Sequence, residues 1–371
     1  MKDRLYLSHR AQLILRLMSA AAALAMTLGA PHLVSRAAFY PPCENPGWFP
    51  VEFGLKDHYI FWHDGYYYLI SIYLPFDNPP QPPEDRFTYA RSQDLCSWES
   101  LAPVLPTRLP GTWDEKAIWA PFVYQEGDTY YLYYTGVTND YTQSILLATT
   151  TDPAAPDSWE KQDTIFQPDH PGMLWTEGTW ADCRDPTLVK VGDLYYLYYS
   201  ARDQTGGIIG VATAPSPTGP WSDQGSIIQP IANGMPESPT VVRYESWYYL
   251  FYNLSQVGSY YRMSESPTGP WQTEVPFRPG WAHEVWQDIL GDWLTSYLTD
   301  YTVTIAPLTW NGFVDPARPF IGLITDRIHL PVIFSPQAPL DRSATETQPA
   351  FFEGDPTPMP DDQVVEHIDI E

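Results

Sequence analysis

Three carboxylic acids stand just before Tyr-rich segments of the chain: Asp57 in "KDHYIF", Asp185 in "CRDPTLV" and Glu237 in "MPESPTVV". Carboxylates that lie close together repel one another and shift each other's pKa values, and proteins rarely keep such a group without a metal or a reaction that uses it. Acetal hydrolysis needs one protonated carboxyl to donate to the leaving oxygen and one ionised carboxylate on the other side of the sugar. A third carboxylate would orient the substrate and keep the pKa of the acid high. If the fold brings these acids together, the sequence predicts hydrolysis of a glycosidic bond.

Each acid also has a plainer explanation. An Asp at the start of a strand often caps a turn, Asp-Pro is a common turn pair, and a Glu before Ser-Pro carries less information still. A Ca²⁺ site built from the same carboxylates is the main functional alternative. The position of the acids in the fold must therefore decide between these interpretations.

An internal repeat identifies the elements that position the acids. Five segments share a short apolar strand, a turn and a second strand: "DHYIFWHDGYYYLISIY", "APFVYQEGDTYYLYYTG", "DPTLVKVGDLYYLYYSA", "SPTVVRYESWYYLFYN" and the weaker copy "HEVWQDILGDWLTSYLT". Units of roughly four strands at a period of about 45 to 65 residues are typical of propeller blades, which bury their faces only by packing around an axis. The repeat predicts an all-β, five-bladed β-propeller, whereas a β-sandwich would not explain five copies.

The repeat also predicts where the acids lie. The copies are aligned on the Leu of "YYL", with Thr295 as its counterpart in the fifth copy. Equivalent positions at the start of the innermost strands are then Asp57, Ala120, Asp185, Ser238 and His283, and Glu237 lies one residue before Ser238. These strands face the central channel, so carboxylates from three blades are expected to converge at one end of it. A structural Ca²⁺ is expected in the same channel, and no cofactor is expected to be required.

The charge of the chain narrows the class of partner. A net charge of −25 at pH 7 argues against nucleic acid or an anionic membrane surface, because phosphate groups are bound by clusters of Lys and Arg. A neutral carbohydrate fits this charge.

The two ends of the chain differ from its middle. Residues 1–38 are typical of a signal peptide, because basic residues precede the apolar run "LMSAAAALAMTLGA" and small residues follow it. We expect a secreted or extracytoplasmic monomer, with a catalytic propeller over residues 39–334 and a disordered, acidic and Pro-rich tail over residues 335–371. In an exported chain Cys43 and Cys96 can form a disulfide, but the sequence does not decide the pairing.

At these residues the sequence resembles the five-bladed propeller glycoside hydrolases of families 43 and 32, between about Pro41 and about Val314. Those families place an Asp in the first blade, an Asp in the third and a Glu in the fourth, and these match Asp57, Asp185 and Glu237.

Further motifs separate the two families. "IWAPFV", with Trp119, resembles the second-blade motif of family 43, and His283 in "AHEVW" resembles the fifth-blade histidine of that family. "RDP", with Arg184, is more similar to family 32, in which the Arg touches the sugar. The "NDPNG" type of motif in the first blade of family 32 is absent. We therefore interpret the chain as similar to family 43.

This resemblance implies a mechanism. Similarity to family 43 implies inversion, with Asp57 as general base on water, Glu237 as general acid, and Asp185 as the group that orients and modulates the pKa. The substrate-binding residues would be Trp119, Arg184 and His283. Arg184 can instead pair with a neighbouring carboxylate. Similarity to family 32 would make Asp57 the nucleophile of a retaining reaction, and carboxyl groups about 5–5.5 Å apart suit retention whereas roughly 6.5–9.5 Å suits inversion.

The function predicted is a secreted glycoside hydrolase that cleaves furanosyl or xylosyl bonds in a polysaccharide or oligosaccharide. The alternatives are a family 32-like retaining fructan hydrolase and a non-catalytic carbohydrate-binding propeller. Three tryptophans near the innermost strands can stack on sugar rings, although core packing is the more common role of Trp in such a fold. They are Trp62, Trp119 and Trp180.

Overall fold

The computed structural model describes residues 43, 45–76, 84–105, 109–162, 165–230, 234–255, 257–277, 280–311 and 316–321. All of them lie within residues 1–325, the first of the two units into which the chain divides. The predicted signal peptide and the predicted acidic tail lie outside the described residues. Within the described ranges, no helix has the length and apolar character needed to cross a membrane.

The described chain is an all-β propeller of five antiparallel blades. Blade one contains β2 (Phe53–His63), β3 (Tyr66–Pro75), β4 (Phe87–Ser92) and β5 (Glu99–Val104). Blade two contains β6 (Ala117–Glu126), β7 (Thr129–Val137), β8 (Gln143–Thr150) and β9 (Glu160–Lys161). Blade three contains β10 (Cys183–Val191), β11 (Leu194–Asp203), β12 (Gly206–Ala214) and β13 (Ser222–Ile228). Blade four contains β14 (Pro236–Tyr244), β15 (Trp247–Leu254), β16 (Gly258–Ser264) and β17 (Val275–Pro276).

Blade five closes the ring with a strand from the start of the chain. Its own strands are β18 (Trp281–Gln287), β19 (Trp293–Thr299) and β20 (Thr302–Asn311), and both β1 (Gly47–Trp48) and β21 (Arg318–Ile321) pair with the outer edge of β20. The innermost strand of each blade packs beside that of the next, and β18 packs beside β2. A disulfide between Cys43 and Cys96 ties the segment before β1 to blade one, while Cys183 is free and buried.

The Tyr-rich second strands hold neighbouring blades together. Each contributes rings to a core cluster between two blades, where apolar strands on both sides bury the ring. Buried hydroxyl groups then reach the next blade: Tyr133 donates to the carbonyl of Pro217 at 2.5 Å, and Tyr198 to that of Pro267 at 2.8 Å. The Tyr residues of the repeat thus supply both apolar area and the hydrogen bonds that fix each blade against its neighbour.

The innermost strand of each blade contains a one-residue β-bulge near its start. At each bulge one residue has a positive φ, in the left-handed region, and these residues are Asp57, Ala120, Asp185, Ser238 and Ala282. A bulge bends the strand and redirects side chains, and Asp tolerates positive φ better than most residues. The bulges therefore turn the start of each innermost strand toward the same end of the channel.

The bulges correct one part of the predicted alignment. In the fifth blade the bulge lies at Ala282, and His283 is the equivalent of His58 rather than of Asp57. The first four hairpins have two-residue turns, whereas the pair Gln287 and Trp293 encloses a loop of five residues. The longer loop changes the spacing by one residue, and so an alignment on spacing alone misplaces His283.

Candidate active site

Two neighbouring positions on each innermost strand form the mouth of the channel. The bulge positions supply Asp57 and Asp185. The position just before each bulge is occupied, from blade one to blade five, by Lys56, Trp119, Arg184, Glu237 and Trp281. The three predicted acids therefore come together at one end of the channel, with Glu237 equivalent to Arg184 rather than to Asp185.

Asp185 is buried and joins blades two, three and four. Its Oδ2 atom accepts a hydrogen bond from the backbone N–H of Ser238 at 2.8 Å, and the Ser200 hydroxyl lies 3.4 Å from the same oxygen. The backbone N–H of Asp185 donates to Oγ1 of Thr135 at 3.0 Å. Since Ser238 follows Glu237 directly, Asp185 fixes the strand that carries the predicted acid.

Glu237 accepts hydrogen bonds at both carboxyl oxygens. Arg184 Nη2 donates to Oε1 at 3.0 Å, and the Ser255 hydroxyl donates to Oε2 at 2.8 Å. Arg184 is held in turn by an ion pair with the buried Asp182 and by Gln143 Oε1, 3.3 Å from its Nη1 atom. A guanidinium fixed on several sides gives Glu237 a defined direction at the mouth. Of the two roles expected for Arg184, the structure shows the pairing with carboxylates.

Asp57 is the least constrained of the three acids. Among the described residues, no hydrogen-bond donor contacts its carboxyl group. Burial raises the pKa of Asp57 to about 7, with a further rise from the negative charge of Asp185 and a smaller one from Glu237, against the lowering effect of Lys56. A general base works best when its pKa lies near the working pH.

The pKa of Asp185 is also raised, to about 6, by burial. The positive charge of Arg184 lowers it and the negative charge of Glu237 raises it. Because Asp57 and Asp185 act on each other, their protons leave as those of a pair rather than of two independent groups.

A fourth carboxyl group, Glu284, lies deeper in the channel. Burial raises its pKa well above the usual range against a lowering by the hydrogen bond with Thr240, and the charges of Asp57 and Asp185 raise it further. Thr240 Oγ1 lies 2.9 Å from the carbonyl of His283 and 3.0 Å from Glu284 Oε2. The Thr240 hydroxyl is within donating distance of both oxygens, and burial favours the neutral form of Glu284.

The aromatic residues are divided between different parts of the molecule. Trp119 lies at the mouth and is partly buried, whereas Trp62 is placed toward the hairpin turns at the other end of the channel. Trp180 is exposed and stacks on Tyr141 with centroids 4.7 Å apart. Trp281, which is 43% exposed, was not among the predicted site residues, although it occupies the mouth position of blade five.

His283 lies below the mouth rather than in it. Its Nδ1 atom is 3.2 Å from Thr295 Oγ1, and the side chain is buried beside the ring of Phe277. His58 is also buried, and its pKa is lowered to about 3, first by burial and then by His283. A sugar at the mouth would therefore not contact His283 directly, and its predicted role in substrate binding is not supported by this position.

The predicted Ca²⁺ stays a prediction. Ca²⁺ prefers six to eight oxygen ligands, and among the described residues no group of three or more His, Cys, Asp or Glu side chains is arranged to hold a metal. A channel ion would have to be held largely through water and backbone carbonyls.

Comparison with known proteins agrees with this architecture. The family model described as "Glycosyl hydrolases family 43" matches residues 51–174, which contain blades one and two. No curated protein gives a significant match. A thermostable family-43 glycoside hydrolase is similar in structure, with a TM-score of 0.57 and 20% identity, over 74% of this chain and 95% of that chain.

Two further solved structures have the same fold. An exo-1,5-alpha-L-arabinanase from a bovine ruminal metagenomic library has a TM-score of 0.55 and 16% identity, over 74% of this chain and 99% of that chain. An alpha-L-arabinofuranosidase from Lactobacillus brevis has a TM-score of 0.57 and 16% identity, over 74% of this chain and 96% of that chain. The predicted five-bladed propeller is confirmed. The family match over residues 51–174 supports glycoside hydrolase as the enzyme class, and the neighbours show the fold. The resemblance of "RDP" to family 32 stays a prediction.

Proposed function

We propose that the chain is an exported glycoside hydrolase that cleaves furanosyl or xylosyl linkages with inversion. The observation that carries the proposal is the convergence of Asp57, Asp185 and Glu237, from three blades, at one mouth of the channel. The fold is shared with an arabinanase and an arabinofuranosidase, which supports this choice of substrate class.

In this proposal Asp57 takes a proton from a water molecule that attacks the anomeric carbon. Its carboxyl is free of hydrogen-bond donors in the described structure, and its pKa of about 7 suits proton transfer near neutral pH. Glu237 gives its proton to the glycosidic oxygen as the bond to the anomeric carbon breaks. The Ser255 hydroxyl, 2.8 Å from Glu237 Oε2, can accept as well as donate, so it can stay bonded when Glu237 carries a proton.

Asp185 is a positioning residue in this proposal. It holds the backbone beside Glu237 through Ser238, and its charge keeps the pKa of Asp57 high. Trp119 and Trp281 belong to the two blades next to that of Asp57 and are the aromatic residues offered to a sugar. After turnover, exchange of protons with solvent restores both carboxyl groups.

Export is supported by two features. The basic and apolar N-terminal sequence is typical of a signal peptide, and a disulfide such as Cys43–Cys96 persists in oxidising compartments.

A non-catalytic sugar-binding propeller is the second candidate, and the ion pair between Arg184 and Glu237 favours it. Carboxylate and guanidinium groups held together in this way also bind sugar hydroxyls without any proton transfer. The two functions differ in turnover, which a direct assay measures.

The test uses the purified full chain with aryl α-L-arabinofuranoside, aryl β-D-xyloside, arabinan, xylan and fructan. We expect turnover of at least one furanosyl or xylosyl substrate, with the inverted anomer seen first by ¹H NMR. Glu237→Gln should lower kcat by about 10²–10⁴-fold while the circular dichroism spectrum is unchanged. Binding without turnover by the wild type would identify the binding module, and a retained anomer would refute inversion.

A further inference from the structure

A cavity of about 390 Å³ lies at the end of the channel opposite the mouth, where the hairpin turns of the blades meet. Its volume falls within the range of about 300–1,000 Å³ that is common for small-molecule sites. The residues that matter for its chemistry are Tyr59, Trp62, Tyr67, Phe122, Trp286 and Asp288. Among the described residues that line it there is no Lys, Arg or His, so the cavity does not favour an anion.

Asp288 is contributed by the five-residue loop that distinguishes blade five. Its Oδ1 atom accepts hydrogen bonds from the backbone N–H groups of Leu290 and Asp292, both at 2.8 Å, which fixes the loop and the carboxyl group. Its Oδ2 atom is buried and has no hydrogen-bond partner in the described structure. Holding the loop accounts for one oxygen of Asp288, and the other oxygen is buried without a hydrogen-bond partner in the part of the chain that the structure describes.

Tyr67 lines the same cavity, and its hydroxyl group is buried with no acceptor for its proton among the described residues. Burial raises the pKa of Tyr67 to about 12, and the charge of Asp288 raises it further against a lowering by the backbone of Ile289, so the hydroxyl keeps its proton. The Tyr67 ring contacts two indoles, with its centroid 4.7 Å from that of Trp62 and 5.9 Å from that of Trp286.

The missing hydrogen-bond partners of these two buried groups indicate the chemistry of a ligand that would bind here. Asp288 Oδ2 needs a donor, and the Tyr67 hydroxyl needs an acceptor, and a single alcohol group supplies both. An ammonium group would satisfy Asp288 but offers no lone pair to Tyr67, although the aromatic rings alone would suit a cation. Alcohol groups on a ring with apolar C–H faces are the chemistry of a neutral sugar.

We propose that this cavity is a second carbohydrate site, which binds one neutral sugar residue against the aromatic side chains of its lining with a hydroxyl group on Asp288 and Tyr67. The site is separate from the three acids at the mouth, and it does not depend on their catalytic role. It would let the protein hold a polysaccharide chain on the face opposite the one where cleavage is proposed.

The test uses the full chain carrying Glu237→Gln, which prevents turnover of the ligand. Crystals are soaked with L-arabinose and D-xylose, and the same sugars, with choline as a cationic probe, are titrated in solution by NMR. Asp288→Asn keeps an acceptor for the loop but removes the charge, and Tyr67→Phe removes only the hydroxyl. Tyr68→Phe is the matched control, because alternate side chains on a strand point to opposite faces of the sheet.

We expect sugar density in the cavity with a hydroxyl group between Asp288 Oδ2 and Tyr67 Oη. Asp288→Asn should weaken solution binding by roughly 10-fold or more, since hydrogen bonds to charged groups are the stronger ones, and Tyr67→Phe by several-fold. Tyr68→Phe should leave it unchanged. Ordered water alone, sugar seen only at crystal concentration, binding of choline in place of sugars, or affinity unaffected by both variants would each overturn the proposal. In the otherwise wild-type chain, Asp288→Asn should leave hydrolysis of aryl substrates unchanged, which separates this site from the mouth.

Discussion

Arg184 and Glu237 occupy equivalent positions in neighbouring blades, and Nη2 of Arg184 donates to Oε1 of Glu237 at 3.0 Å. The direction of the predicted acid is therefore set by blade three, although the acid itself belongs to blade four. Arg184 is anchored on its other side by the buried Asp182.

Replacing Arg184 should impair catalysis more than binding. Arg184→Lys keeps the charge but cannot contact Asp182 and Glu237 at the same time, so we expect kcat to fall about 10-fold with a smaller change in KM. Arg184→Ala should lower kcat by about 100-fold. Steady-state kinetics on an aryl glycoside measures both. Arg91→Ala, which removes the exposed pair with Glu99, is the control, and an unchanged kcat in Arg184→Ala would contradict the positioning role.

The pH dependence of kcat/KM should report the coupled pair of Asp57 and Asp185. The base must be ionised, so activity should be lost as pH falls, with a midpoint between about 6 and 7. Lys56 lowers the pKa of Asp57 by its charge, and Lys56→Met should therefore move the midpoint to higher pH. Lys190→Met, at the surface pair with Glu126, should leave the profile in place. A midpoint near pH 4 would show either that Asp57 is not the general base or that its pKa is not raised.

The same raised pKa makes Asp57 a cost to stability. Between about pH 4 and 7 the folded protein binds more protons than the unfolded chain, so the free energy of unfolding falls as pH rises through this window. Asp57→Asn should be about 1–3 kcal/mol more stable than the wild type at pH 8, after allowance for the partial exposure of the group, and should show no gain at pH 4. Thermal unfolding at both pH values measures the difference. Asp64→Asn, in the exposed hairpin turn of the same blade, should show no such pH-dependent gain.

Glu284 should tolerate the loss of its ionisable proton. Its burial favours the neutral form, and the neutral amide of Gln keeps an oxygen that can accept the hydrogen bond from Thr240. We expect Glu284→Gln to change kcat/KM by less than about 3-fold at neutral pH, whereas Glu284→Ala should destabilise the fold by about 2 kcal/mol, because it opens a space below the acids. A loss of activity in Glu284→Gln as large as that in Glu237→Gln would show instead that Glu284 transfers a proton.

The sequence predicts the five blades because each hairpin is a local structure with its own turn residues. It predicts Asp57, Asp185 and Glu237 at one mouth because equivalent strand starts face the same channel. The fifth blade is harder to predict, since its longer loop changes the spacing by one residue. With His283 misaligned, the alignment identifies neither Trp281 as the mouth residue of blade five nor Glu284 as a fourth carboxyl group in the channel. The contact of Arg184 with Glu237 spans 53 residues and crosses two sheets, so the sequence indicates that Arg184 can pair with a carboxylate but not which one.

The outer edge of blade five is completed by β1, whose residues are made before any blade, while its partner β20 is made after all the other described blades. Blades one to four can form in the order of synthesis, but the ring cannot close until the chain has been made at least to Asn311. In the folded chain the Cys43–Cys96 link holds the segment before β1 to blade one. The last step of assembly is therefore the pairing of β1 with β20, and the central channel is enclosed on all sides only after this step.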